Sequence, residues 1–267
     1  FRLVWISSYR PMSRSLPSYR VGSVLFAGDA AHQTPIFGGR GMNQGLLDTA
    51  NLGWKLAFVL KGDAPEALLD TYDLERRPLI VRNLHDIGLA TLCMTAPTRG
   101  AALMRKAAFD LLPTEPFVLP LIDAFNANKS ERLHSNEGDS STSLAAIGNP
   151  LPDCRIRYDG QPAFLHDLLR PATFTGIYFG GMDAHAETRR ELAGLEMPKT
   201  YREVGISCRL NSGNAPALAD AESRERLEVK EGDWMLIRPD GYIHARLANP
   251  RAEDIRREYM RATGRSV

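Results

Sequence analysis

Val24–Lys55 reads VLFAGDAAHQTPIFGGRGMNQGLLDTANLGWK, and the order of its parts governs the rest of the chain. Val24-Leu25-Phe26-Ala27 is a short apolar run that predicts a buried strand. Gly28-Asp29 ends it. A loop follows with Pro35, Gly38, Gly39 and Gly41 within seven residues. Leu46, Leu47, Ala50, Trp54, Ala57 and Phe58 then recur at helical spacing up to a stop at Gly62. Glycines let a backbone pass close to a ligand and take positive φ without a side-chain clash. The helix start beyond them presents N–H groups with no intrahelical partner and the positive end of a dipole, which favours an electron-rich or anionic partner. Spacing alone is equally met by a strand-to-helix turn whose glycines serve packing.

The 267 residues are 43% hydrophobic and 24% charged, enough for one large or two modest domains. A net charge of +1 gives no electrostatic footprint for nucleic acid. Arg189-Arg190 and Arg256-Arg257 read as solvated helix faces. No apolar run approaches the roughly 20 residues of a membrane span, and the opening FRLVWISSYR lacks a signal-peptide layout. No membrane partner is expected. Cys93, Cys154 and Cys208 are widely spaced and form neither a CxxC nor a metal-ligand pattern, so no metal site is expected. The odd count suits a reducing cytoplasm.

The full string is more specific than its geometry. Gly28-Asp29-Ala30-Ala31-His32, Pro35, Gly38-Gly39-Arg40-Gly41-Met42-Asn43, Asp48, Asn51-Leu52 and Trp54-Lys55-Leu56 together resemble the second flavin-binding motif of the FAD-dependent aromatic hydroxylases. This is the family of para-hydroxybenzoate hydroxylase and phenol hydroxylase. Leu69-Asp70-Thr71-Tyr72 and Glu75-Arg76-Arg77-Pro78 resemble the stretch that follows the motif. The resemblance implies an α/β chain: the C-terminal portion of a Rossmann-like FAD-binding monooxygenase fold, then a thioredoxin-like α/β domain. It assigns FAD contacts to Gly28, Asp29, Pro35, Gly38, Gly39, Gly41, Met42 and Asn43.

No GxGxxG occurs in the sequence, and the family needs one for the FAD pyrophosphate. The expectation is therefore that a missing N-terminal part of the same protein carries that fingerprint, most of the substrate sheet and the base that activates the substrate. Residues 1–125 are expected to be the end of the FAD and substrate domain, 126–150 a polar linker, and 151–267 the thioredoxin-like domain. Leu3–Ser7 reads as a strand. Ala64–Thr95 reads as two helices meeting near Arg77-Pro78, because proline breaks a helix interior. Pro97–Phe125 reads as helix interrupted by Pro113, Pro116 and Pro120. In the C-terminal part, Phe174–Phe179 and Tyr201–Leu210 read as strands, with Ala184–Leu195 a helix between them. Trp234–Arg238 and Tyr242–Leu247 flank the hairpin signal Pro239-Asp240-Gly241, and Glu253–Ala262 is a terminal helix. Leu236–Tyr242 resembles the hairpin of the hydroxylases' C-terminal domain. With no cysteine pair, that domain is expected to be structural or to support a homodimer.

At the end of a strand, the Asp29 carboxylate can accept hydrogen bonds from ribityl hydroxyls, or can cap its own loop. By resemblance, the helix start at Gly41–Asn43 points at the pyrimidine edge of the flavin. Ile36 stands where the family often has a second proline, which points away from para-hydroxybenzoate and towards the hydroxyphenylpropionate branch. Arg40 can meet nicotinamide nucleotide phosphates or face solvent. His32 reads as a packed residue rather than a catalyst, and Trp54 as core. No Ser/His/Asp set is visible, so catalytic residues stay unassigned and the hard chemistry falls to the cofactor. The resemblance implies that NAD(P)H reduces FAD, that O2 adds at flavin C4a, and that the hydroperoxide delivers hydroxyl to an activated aromatic ring. A phenol with a short acid side chain is the first expectation for the substrate, and a polycyclic polyketide the second. The alternative of another class is a non-catalytic flavin-fold remnant that works through its tail as an interaction module.

Overall fold

The computed structural model describes residues 2–8, 12–35, 40–119, 132–133, 143–180, 185–208 and 216–265. Contacts divide the chain into two compact units, Phe1–Ala50 with Tyr72–Lys129, and Asn51–Thr71 with Ser130–Val267.

The first unit is mostly helical. Its strands are two residues each: β1 (Arg14–Ser15), β2 (Arg20–Val21), β3 (Val24–Leu25) and β4 (His32–Gln33). β1 pairs with β4 and β2 with β3, both antiparallel. Helix α1 (Gly41–Leu60) begins here, followed by α2 (Asp70–Thr95) and α3 (Arg99–Leu111). Three expectations are corrected. Residues 2–8 form no strand, because none of the described residues pairs with them, and Leu3, Val4, Trp5 and Ile6 are exposed. Only Val24 and Leu25 of the apolar run are strand, in an edge hairpin that leaves Val24 54% exposed rather than buried. Pro78 lies inside α2 rather than between two helices. The carbonyl it leaves unbonded is that of Leu74, an exposed residue where water can satisfy it. Buried Arg76, Leu79 and Ile80 hold the helix on both sides of the proline.

The second unit is built on a four-stranded sheet. β5 (Arg155–Tyr158) and β6 (Gln161–Phe164) lead into β7 (Phe174–Phe179), α4 (Ala186–Gly194) and β8 (Tyr201–Ile206). β9 (Ala217–Leu218), α5 (Ala221–Leu227), β10 (Asp233–Ile237), β11 (Ile243–Ala248) and α6 (Ala252–Ala262) follow. The main sheet has the order β11-β10-β7-β8, with β7 and β8 parallel and the other pairs antiparallel; β6-β5-β9 is a second sheet. β7 is apolar but for Thr175, and all six of its residues are buried because both of its faces are covered. Ile177 and Phe179 enter a core with Ile156, Leu165, Val204, Met235 and Ile237. Phe174 and Tyr178 enter the opposite one with Trp54, Phe58, Trp234, Ile255 and Tyr259. The sequence reading missed β5, β6, β9 and α5, all of them short.

Of the stretch 126–150, residues 126–131 and 134–142 lie outside the described residues, as do Gly38 and Gly39. Its described remainder is packed: Leu133, Ala145 and Ala146 are buried, and Gly148 N–H donates to Ile243 O at 2.8 Å.

Gly176 sits mid-strand in β7, where an added Cβ would lie 2.5 Å from Tyr201 Oη and 2.9 Å from Trp234 Nε1. Both atoms are on rigid rings in the packed core. Gly176→Ala is therefore expected to destabilise the protein by about 1–3 kcal/mol, read as a lower urea midpoint with an unchanged slope. An unchanged midpoint would show that the rings can shift.

Candidate flavin-binding loop

Asp29 does not sit in a strand. It is the middle residue of a 3-10 turn, Gly28–Ala30, that follows β3, and it is exposed. Gly28 takes φ +57°, a left-handed conformation that disfavours other residues. The chain from Gly28 to Thr34 runs along one face of α1. A Cβ built on Gly45 would lie 3.4 Å from Gly28 Cα, and one built on Gly41 would lie 2.7 Å from Thr34 Oγ1. The small face of the helix thus lets the loop approach it.

The fastening is a buried polar network. Asp48, two turns into α1 and fully buried, accepts from Gly28 N–H at 3.0 Å through Oδ2. The same oxygen is 2.7 Å from His32 Nε2, and Oδ1 accepts from Arg76 Nε at 2.9 Å. Arg76, from α2, also donates to Gln44 Oε1 at 2.6 Å. Burial pushes the Asp48 carboxyl up, but the hydrogen bonds from His32, Arg76 and Gly28, with the Arg76 charge, outweigh it and hold the group below the usual carboxylate range. An ionised carboxylate only accepts, so Nε2 of His32 carries the proton between them. Tyr72 Oη donates to Phe26 O at 2.8 Å, and Asp73 Oδ1 accepts from Tyr19 N–H at 2.7 Å, so α2 also holds the chain before the loop.

Of the residues singled out in the sequence, Gly28, Asp29 and Gly41 flank this network, and Pro35 is buried just after it. Met42 and Asn43 are exposed on the first turn of α1, Met42 by 76%. The first bond of that turn runs from Gln44 N–H to Arg40 O at 2.9 Å, so the N–H groups of Gly41, Met42 and Asn43 precede the helical ladder. Arg40 answers neither earlier reading by itself, because its Nη1 donates to Asn83 Oδ1 at 2.9 Å. His32 is packed, as the sequence suggests. What the sequence reading missed is the role of Asp48, Gln44 and Arg76. Among the described residues no group of His, Cys, Asp and Glu could hold a metal ion, and no helix is long and apolar enough to cross a membrane.

An exposed carboxylate on a pinned turn can accept hydrogen bonds from a ligand with hydroxyl groups. Residues 2–86 match the FAD binding domain family. Over most of its length the chain is similar to aromatic monooxygenases. It is 30% identical over 258 residues to pentachlorophenol 4-monooxygenase of Sphingobium chlorophenolicum, which spans 93% of this chain and 47% of that protein. It is 49% identical over 110 residues to the 3-(3-hydroxy-phenyl)propionate/3-hydroxycinnamic acid hydroxylase of Mycolicibacterium vanbaalenii, 40% of this chain and 19% of that enzyme. Among solved structures, CabE, an aromatic hydroxylase from angucycline biosynthesis, matches 99% of this chain and 49% of its own with a TM-score of 0.73 at 26% identity. The chain thus spans about half the length of pentachlorophenol 4-monooxygenase and of CabE.

Removing one partner from a buried charged network costs about 3–5 kcal/mol. Asp48→Ala is expected to lower stability by that amount at neutral pH. The folded-state pKa is depressed, so the stabilisation is complete above the ordinary value of about 4 and is lost as pH falls through the lowered value. Asp48→Asn should flatten that acid limb in melts recorded from pH 7 downward. A limb of unchanged steepness would count against the network.

Proposed function

We propose that this chain is the C-terminal part of an FAD-dependent monooxygenase that hydroxylates an activated phenolic ring, using NAD(P)H and O2. The observation that carries the reading is the turn at Asp29, exposed and held on both sides by Asp48. In this reading Asp29 accepts hydrogen bonds from the ribityl hydroxyls. Gly28 and Gly41, with Gly38 and Gly39 of the loop, keep the backbone free of side chains around the cofactor, and Pro35 stiffens the loop. The N–H groups of Gly41, Met42 and Asn43 and the helix dipole favour negative charge at the pyrimidine edge of the ring. Bound FAD would supply the oxygen-transfer chemistry, which none of these side chains can perform. The chain's share is to bind, to orient and to keep water out.

The GxGxxG segment, most of the substrate sheet and the substrate-activating base belong, on this proposal, to an N-terminal part of the same protein. Residues 1–125 are then the end of the flavin and substrate domain, and 151–267 a thioredoxin-like domain joined through 126–150. The order β11-β10-β7-β8, with one parallel pair and a terminal hairpin and helix, supports that reading of the tail. The tail would be structural or would join two copies in a homodimer, and the protein would work in the cytoplasm. A phenol bearing a short acid side chain is the favoured substrate, given the 49% identity over 110 residues to the hydroxyphenylpropionate enzyme. The likeness to CabE over nearly the whole chain favours a polyketide as the second reading.

A hydrogen bond to a charged group is worth roughly 1.5–3 kcal/mol. Asp29→Ala should weaken FAD binding about tenfold to a hundredfold and leave the melting temperature of the FAD-free protein nearly unchanged, because the carboxylate is exposed. Flavin fluorescence titration beside apo melting curves measures both. An unchanged dissociation constant with a lower melting temperature would mark Asp29 as a loop cap instead. For the tail, burial pushes the thiols of Cys154 and Cys208 up, away from reactive thiolate. No insulin reduction is expected from it. Reductase activity abolished by Cys154→Ser or Cys208→Ser would reverse that assignment.

A further inference from the structure

The turn that carries Asp29 lies between strands too short to fix it, since β3 and β4 have two residues each. One side chain fixes it instead. Oδ2 of Asp48 meets both Gly28 N–H and His32 Nε2, one residue before Asp29 and three residues after it. The other oxygen is held by Arg76, and Arg76 is held by Gln44. Gly28 lies close to the helix: a Cβ built on Gly45 would stand 3.4 Å from its Cα.

The geometry points to Asp48 as a positioning residue for the flavin. Acting through Gly28 and His32, it sets where the Asp29 carboxylate stands relative to α1. The inference rests on the flavin reading of Asp29 above. Asp48 is fully buried, so it presents no atom to a ligand; its effect is transmitted by the two groups it holds. An apolar side chain could fill the same volume but could not accept three donors arriving from a turn, a ring and a second helix.

The test is a double-mutant cycle on FAD affinity in the holoprotein, this chain together with the rest of its flavin fold. Asp29→Ala, Asp48→Asn and the double variant are titrated with FAD by fluorescence, well below the apo melting transition, and the bound flavin's absorption spectrum is recorded. Asp48→Asn is expected to weaken binding at least tenfold and to shift the flavin bands. Asp29→Ala should then cost less than threefold more in the Asp48→Asn background, because the carboxylate it removes is already misplaced. If Asp48→Asn does not fold, His32→Gln removes a single anchor and leaves the Asp48–Arg76 pair; it should show the same non-additivity at smaller amplitude. A variant with a lower melting temperature but an unchanged dissociation constant, or losses that simply multiply, overturns the positioning role and leaves the flavin reading standing. Asp29→Ala without effect on affinity, or no FAD binding by the unsubstituted holoprotein, overturns the flavin reading and the inference with it.

Discussion

A single buried carboxylate is the constraint on which the first unit depends. Its sheets are too small to define a loop: each is one antiparallel pair of two-residue strands. A fully buried charge in such a place is costly unless every oxygen is satisfied. Asp48 is satisfied by three donors, two from the turn around Asp29 and one from α2, and meeting that demand brings those parts together. Arg76 is the reason α2 docks where it does, and its burial beside Leu79 and Ile80 explains why α2 continues through Pro78. The backbone bond that proline removes is small beside the set of contacts that would be lost if the helix stopped there.

The parts of the fold that were legible in the sequence are those whose signal is local. The terminal hairpin announced itself through Pro239-Asp240-Gly241 between apolar runs, and β7 through a mostly apolar run that ends in Gly180-Gly181; α1 and α6 showed their periods. Other features depend on partners distant in sequence. Leu3–Ile6 has a strand's composition, yet composition supplies no neighbour to pair with. Val24 looks buried by hydropathy, but its hairpin lies at an edge. The apolar residues of α1 were themselves misleading. Gln44, Asp48, Asn51 and Lys55 recur at spacings of four, three and four, which reads as a solvent face, and all four are buried, while Leu46 and Met42 are exposed. A polar stripe beside Gly41 and Gly45 was the available clue that this face meets another piece of backbone rather than water.

The same division holds for the candidate site. Gly28, Asp29 and the start of α1 could be picked out from the motif, because they are close in sequence. The support beneath them could not, since Asp48 and Arg76 are 28 residues apart and meet only once the chain is folded. A side chain on a short turn is placed only as well as the turn is held, so the residues that fix the turn matter as much as the side chain it carries.

The hairpin turn in the second unit carries a comparable burden. A Pro-Asp-Gly turn is ordinarily chosen for its backbone, and aspartate and asparagine exchange freely in such positions. Here the Asp240 side chain is buried and accepts from Arg238 at 2.7 Å, from Trp54 Nε1 at 3.1 Å and from Asn51 at 3.3 Å, while the Arg238 guanidinium lies 5.2 Å over the Trp54 ring. Exchange to asparagine would keep the turn and strand a guanidinium against an indole with its counter-charge gone. Loop grafting between relatives, or a library that treats this tip as free surface, would therefore fail at Asp240 for a reason that lies in the α1 helix and not in the turn.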